Sequence, residues 1–203
     1  MQPHATQTPL ATEKDTFLKD LRSVTSPAHK KLEETSLSKV IVSETLLVGD
    51  YALYLEKMYL AMVSFEKKIF PILNPHFSDL DQRIKTNLLE KDLKFLGVKV
   101  PEKQSLFNRF VATRSTSYLM GAFYVLEGST LGGKFIYKNI SSTLGLTAES
   151  GASYFNGYGA ETGKLWSAFM EQFCNYALKT SNQKEIIQGA DDTFKLLFDL
   201  LNA

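Results

Sequence analysis

The sequence predicts an all-α protein, and three observations carry that prediction. Apolar residues recur at intervals of three and four along most of the chain, the spacing that gathers them on one side of a helix. No stretch alternates apolar and polar residues over a useful length, and no repeat or low-complexity block intervenes. The breaks between periodic stretches fall on residues that stop helices, namely Pro71, Pro75, Gly97, Pro101 and Gly145.

The elements follow in order. Residues 1–12 lack an apolar signal core and read as a polar, disordered tail that includes His4, ahead of one domain over residues 13–203. Asp15 to Val24 is helical, with Phe17, Leu18 and Leu21 on one side. Ser26-Pro27 then ends and restarts the helix or bends it, because proline removes an N–H and serine caps well. The next turns place His29, Leu32 and Glu33 at i, i+3 and i+4. Thr35 to Val48 is weakly patterned. Asp50 caps a long helix through Leu73, in which Tyr51, Tyr54, Leu55, Met58, Tyr59, Met62 and Phe65 share a face. Asp79 to Leu96 and Ser105 to Leu144 are the next helices, residues 151–159 a loop, and Glu161 to Lys179 and Lys184 to Leu201 the last two helices.

Composition limits the function. At 203 residues, 44% hydrophobic and 22% charged, the chain can bury a core without staples. A net charge of +1 gives no electrostatic footprint for nucleic acid. No apolar run approaches the roughly 20 residues of a membrane span. The single Cys174 excludes a disulfide framework and Cys-rich zinc sites, and fits a cytoplasmic, reducing setting.

The most unusual stretch is Tyr118 to Ile140, helical in pattern yet carrying Gly128, Gly132 and Gly133. Each glycine costs about 1 kcal/mol relative to alanine in a helix, so something must compensate. Gly128 and Gly132 are four apart, as are Ser129 and Gly133, so one face is nearly bare and can lie against another helix or a planar ligand. Of the three histidines, His76 lies in a proline-flanked linker and only His29 sits within a helical pattern. Arg22, seven residues earlier, lies about 10 Å along the same face of an unbroken helix. One neutral histidine cannot hold zinc or non-heme iron alone, but it suffices for heme, whose porphyrin supplies four ligands. Heme also needs a flat wall opposite, which the glycine face supplies. Glu127 and Arg114 form a candidate buried pair, Tyr124, Phe123 and Phe169 candidate lining, and Trp166 a packing residue. Cys174 has no histidine or basic residue within a turn and is assigned no nucleophilic role.

Three segments carry a family resemblance: Thr25-Ser-Pro-Ala-His29 with Leu32-Glu33, Tyr124-Val-Leu-Glu-Gly-Ser-Thr-Leu-Gly-Gly133, and Tyr158-Gly-Ala-Glu-Thr-Gly-Lys-Leu-Trp166 with Phe169. Together they resemble the bacterial heme oxygenases, more particularly the biliverdin-producing type found beside bacteriophytochromes. The likeness runs from about residue 15 to the C-terminus, with residues 36–105 matching in helix pattern only. It implies a single-domain helical heme oxygenase fold, with His29 as proximal ligand and Glu33 bonded to it through water. Arg22 falls where a basic residue meets a propionate, with Tyr124 and Lys164 as further heme-binding candidates. Gly128, Ser129, Gly132 and Gly133 fall on the distal helix. Ser129 replaces the aspartate of mammalian-type members, leaving open what orders the distal water. The implied reaction uses heme, O2 and electrons from a ferredoxin, flavodoxin or reductase, and yields biliverdin, CO and ferrous iron. The competing expectations are a heme carrier or sensor without turnover, a thiaminase-like enzyme, and a helical interaction protein whose glycines serve close packing.

Overall fold

The computed structural model describes residues 9–102 and 114–203, and within them every regular element is helical. In chain order these are α1 (Pro9–Glu33), α2 (Ser36–Val40), α3 (Val48–Lys68), α4 (Phe70–Leu73), α5 (Thr86–Phe95), α6 (Thr116–Leu144), α7 (Ser153–Asn156), α8 (Thr162–Lys179) and α9 (Gln183–Asn202). Helix α6 packs along α9, α1 packs on the same α9, and α3 packs on α5. Helices α1 and α6 hardly touch one another, so α9 forms the floor of a cleft with those two as walls.

Several boundaries differ from the sequence expectation. Helix α1 begins at Pro9, inside the expected tail, while residues 1–8 and with them His4 lie outside the described residues. Pro27 does not break α1: the helix runs through it to Glu33. The lost bond is tolerated because tertiary packing holds both halves, with Leu21 and Ala28 buried on either side of it. Asp50 lies inside α3, which starts at Val48. Its carboxylate accepts from the Leu47 N–H at 3.3 Å, a contact made from the third helical position. The segment after Asp79 is a 3-10 turn, Leu80–Arg83, followed by α5, because Arg83 and Lys85 turn inward instead of continuing a surface helix. Ser115 caps α6 through its hydroxyl, and the expected start at Ser105 lies outside the described residues.

The tightest helix contact belongs to two other glycines. A Cβ on Gly121 would lie 1.9 Å from the Ile186 carbonyl oxygen, and one on Gly189 would lie 1.9 Å from that of Tyr118. Backbone cannot yield as a flexible side chain does, so α6 and α9 would have to separate. Gly189→Ala is therefore expected to destabilise the fold by about 3 kcal/mol, read as a lower urea midpoint. A midpoint equal to wild type would contradict this packing.

Candidate functional site

Two ties between distant segments frame the cleft. Arg22 on α1 lies close enough to the Tyr124 hydroxyl on α6 for its charge to act on that phenol. Burial raises the pKa of that phenol, and the Arg22 charge and hydrogen bond pull it partly back. Further along, Asn139 on α6 donates through Nδ2 to the carbonyls of Ile41 and Ser43, both at 3.0 Å. Between these ties both helices advance in step. His29 lies two turns beyond Arg22, and Leu131 and Gly132 lie two turns beyond Tyr124, about 10 Å along each axis.

The wall formed by α6 carries Gly128, Leu131, Gly132 and Phe135 at i, i+3, i+4 and i+7. Gly132 has nothing within 4 Å of a would-be Cβ, and Leu131 and Phe135 are 47% and 67% exposed. On the opposite wall Val24 is 50% exposed. Open glycine beside apolar side chains that nothing covers is the surface a flat apolar ligand would fill.

The three expected glycines therefore part company. Gly132 is open to the cleft, Gly128 receives the edge of Trp166 at 3.5 Å, and Gly133 meets the Phe155 carbonyl oxygen at 3.2 Å. Trp166 thus borders the glycine face, where sequence reading saw packing alone. It is held by an aromatic column, stacking on Phe169 at 5.3 Å, with Phe169 on Phe173 at 5.6 Å and Tyr124 on Phe173 at 5.3 Å. Ser129 and Thr130 donate their hydroxyls to the carbonyls of Leu126 and Glu127, both at 2.7 Å, inside the uninterrupted helix.

The side chain of His29 is 53% exposed, and its ring packs on Phe194 of α9 at 4.9 Å. Its Nε2 lies 3.5 Å from Glu33 Oε1, an electrostatic contact longer than a hydrogen bond. The other ring nitrogen, Nδ1, has no bond within the described residues, and a half-turn of the ring exchanges the two. A ring steadied on one side and open on the other suits a ligand to iron. Among the described residues no cluster of three or more His, Cys, Asp or Glu could hold a metal ion, so the donor set offers a single imidazole.

Lys164 pairs with Glu161 at 3.1 Å on the surface, with 81% of its side chain exposed, and that contact does not join it to the cleft residues. A further basic residue on α1, outside the sequence expectation, is Lys14. Its charge and that of Arg22 act on Cys174, whose buried thiol is nevertheless pushed up by desolvation. A spacing of eight and then seven residues from Lys14 to Arg22 to His29 is the signal that could have found it. A buried thiol raised by desolvation is a poor nucleophile, which weighs against thiaminase-like chemistry.

Glu127 does not pair with Arg114, which instead lies over the Tyr118 ring at 4.6 Å. Its carboxylate is fully buried and accepts from Arg83 Nη1, from Lys85 Nζ at 2.9 Å and from the Tyr158 hydroxyl at 2.9 Å. Arg83 also donates through Nε and Nη2 to Asp79, so two cations and two carboxylates close a network beneath the glycine segment.

Among the described residues no helix is long and apolar enough to cross a membrane. The model of the heme oxygenase family matches residues 15–203. Heme oxygenase PigA of Pseudomonas aeruginosa is 25% identical over 201 residues, covering 97% of this chain and 96% of that protein. Solved heme oxygenase structures share the fold. The Leptospira interrogans protein superposes with a TM-score of 0.78 at 20% identity, covering 92% of this chain and 98% of that one. The Neisseria meningitidis protein in its NO- and CO-bound forms gives 0.70 at 24% identity, covering 91% and 89%. Heme oxygenase-1 of Synechocystis sp. PCC6803, in complex with heme, gives 0.73 at 17%, covering 92% and 90%. By the match over nearly its whole length, the chain belongs to the heme oxygenase family.

Proposed function

We propose that the protein degrades heme to biliverdin, CO and ferrous iron, with O2 as oxidant and electrons from a ferredoxin, flavodoxin or reductase. The observation that supports this reading best is the pairing of the two cleft walls, with the open Gly132 and exposed Leu131 and Phe135 on one and the half-exposed His29 on the other. Close packing does not account for Gly132, which has nothing within 4 Å of a would-be Cβ, whereas Gly133 meets the Phe155 carbonyl oxygen at 3.2 Å. Heme, when bound, supplies the redox and oxygen chemistry, and the protein supplies orientation and exclusion of water.

In this reading His29 would hold the heme iron, and Glu33 would steady its ring. Arg22, with Lys14, meets the propionates, and Tyr124 keeps Arg22 in place when they are absent. Gly132 would keep side chains away from the face opposite His29, Gly128, Ser129 and Gly133 belong to the same distal segment, and Lys164 offers a further cation at the rim. The free thiol of Cys174 suits a reducing cytoplasm.

Adding hemin to the purified protein is expected to give a 1:1 Soret complex that decays to a biliverdin spectrum under reductant and O2. A complex that forms and does not decay would identify a carrier or sensor, and no complex at all would defeat the heme reading. A companion prediction concerns Gly132→Ala. Alanine restores helix propensity where nothing obstructs its Cβ, so the heme-free protein should gain about 1 kcal/mol in stability. The same methyl narrows the cleft, and turnover should fall, a combination read by thermal melting and by biliverdin formation.

A further inference from the structure

Helix α6 is pinned near its start, where Gly121 and Gly189 bring its backbone against that of α9. Asn139 lies about 27 Å further along the same axis, and the open Gly132 falls between the two points. At this far end the Asn139 amide reaches the connection from α2 to α3. Its Nδ2 donates to the carbonyls of Ile41 and Ser43, both at 3.0 Å, and its Oδ1 faces the Thr143 hydroxyl at 3.5 Å. Two acceptors on one side and a donor on the other fix which end of the amide is nitrogen.

The carbonyls it holds are those a short helix leaves over. Helix α2 has five residues and closes at Ile41, whose N–H bonds the Leu37 carbonyl. Carbonyls at a helix end have no partner inside the helix, and Ile41 is buried, so without the amide its oxygen would be a desolvated acceptor. Helix α2 is in turn joined stiffly to the wall that bears His29. Only Glu34 and Thr35 separate it from α1. The buried Thr35 caps α2, accepting from the Ser38 N–H at 3.1 Å, and its hydroxyl donates to the Leu32 carbonyl at 3.1 Å, one turn beyond His29. Helix α2 itself hardly packs on α6, and the Asn139 amide carries the link between them.

We propose that Asn139 is a positioning residue whose two hydrogen bonds set the gap between the glycine wall and the His29 wall, and with it the grip of the cleft on a flat ligand. The inference rests on the heme reading for the identity of that ligand. Without the amide, the far half of α6 swings about its contact with α9, and the cleft widens at Gly132. A rigid macrocycle touches both walls at one width only. A gap of roughly 0.5–1 Å already forfeits a quarter to a half of the dispersion attraction between facing atoms.

The test has a heme-free arm and a loaded arm. Spin labels on Lys31→Cys in α1 and Lys134→Cys in α6, both exposed positions, report the gap by pulsed electron paramagnetic resonance, while the buried Cys174 stays unlabelled. Adding Asn139→Ala is expected to broaden the heme-free distance distribution and shift it outward. Alanine favours a helix more than asparagine does, so the variant keeps its fold, as circular dichroism checks. In the loaded arm, hemin transfer to excess apomyoglobin should be about tenfold faster, the equivalent of one hydrogen bond. Asn139→Asp, equal in size but without the two donors, should act in the same direction. Ser142→Ala, which removes a bond to the Asn139 backbone carbonyl and leaves the amide alone, should match wild type in both arms. An unchanged distance distribution, or hemin release at the wild-type rate, in both Asn139 variants would overturn the proposal and leave the heme reading standing. No hemin uptake by wild type would defeat the heme reading, and with it the grip assigned to Asn139, whatever the gap.

Discussion

His29→Ala is expected to reduce heme turnover by more than roughly 100-fold, since even residues one step removed from a metal ligand cost 10–100-fold when lost. The substitution removes the imidazole proposed to hold the iron, and among the described residues no other histidine lies in the cleft walls: His76 packs edge-on to Tyr176 at 4.8 Å, after α4. Stability should hardly change, because the side chain is 53% exposed and its contacts are the Phe194 ring and a loose approach to Glu33. The separation of the two effects is the diagnostic. Added imidazole should restore part of the wild-type ferric spectrum by filling the space left by the side chain. An unaltered ferric spectrum with full turnover in His29→Ala would remove this histidine from the mechanism.

Glu127→Ala is expected to destabilise the protein by about 3–5 kcal/mol, the usual result of removing one partner from a buried ion pair. The side chains of Arg83 and Glu127 are 0% exposed and that of Lys85 is 5% exposed, so neither cation can recruit bulk water when the carboxylate goes. Arg83 keeps Asp79 in direct contact, whereas Lys85 keeps the Tyr158 hydroxyl, a carbonyl and the more distant charge of Glu66, and it carries the larger part of the penalty. Burial already lowers the pKa of Lys85 despite the opposing charge of Glu127, and without that charge the drop deepens. Urea unfolding should show the loss as a lower midpoint at unchanged slope. A variant within 1 kcal/mol of wild type would mean that the network is far better hydrated than its burial indicates.

The same network gives an acid-side dependence. Burial would raise the pKa of Asp79, but the hydrogen bond and charge of Arg83 outweigh it and hold the carboxyl below its ordinary range. A depressed carboxylate contributes stability that is complete above its unfolded pKa and is lost as pH falls through the folded one. Asp79→Asn should therefore flatten the decline in stability below about pH 4, as measured by urea midpoints across that range.

How far the sequence reached depended on how local each determinant was. Apolar spacing of three and four is a property of neighbouring residues, so the helices were legible, including α9, α8 and the body of α3. The same locality made His29 and Glu33 readable as one helical face, and the glycines of 128–133 readable as an anomaly needing a cause. The family resemblance rested on these same short segments. Where the local signal misled, tertiary packing overrode it. Pro27 lies within α1 because that helix is held along α9, and the chain after Asp79 turns inward because two cations there have a buried carboxylate to meet.

By itself, then, the sequence determined an all-helical chain, a single well-placed imidazole and a bare segment that could face a planar ligand. Tertiary structure alone decided which neighbour each bare position meets: Trp166 for Gly128, open cleft for Gly132 and the Phe155 carbonyl for Gly133. It also decided that Glu127 joins Arg83 and Lys85, 44 and 42 residues away, and that Asp92 clamps the turn bearing Tyr154 across 61 and 62. Helical periodicity tells which side of an element faces inward. It carries no information about which other element arrives there, because that choice is made by packing among all the helices at once.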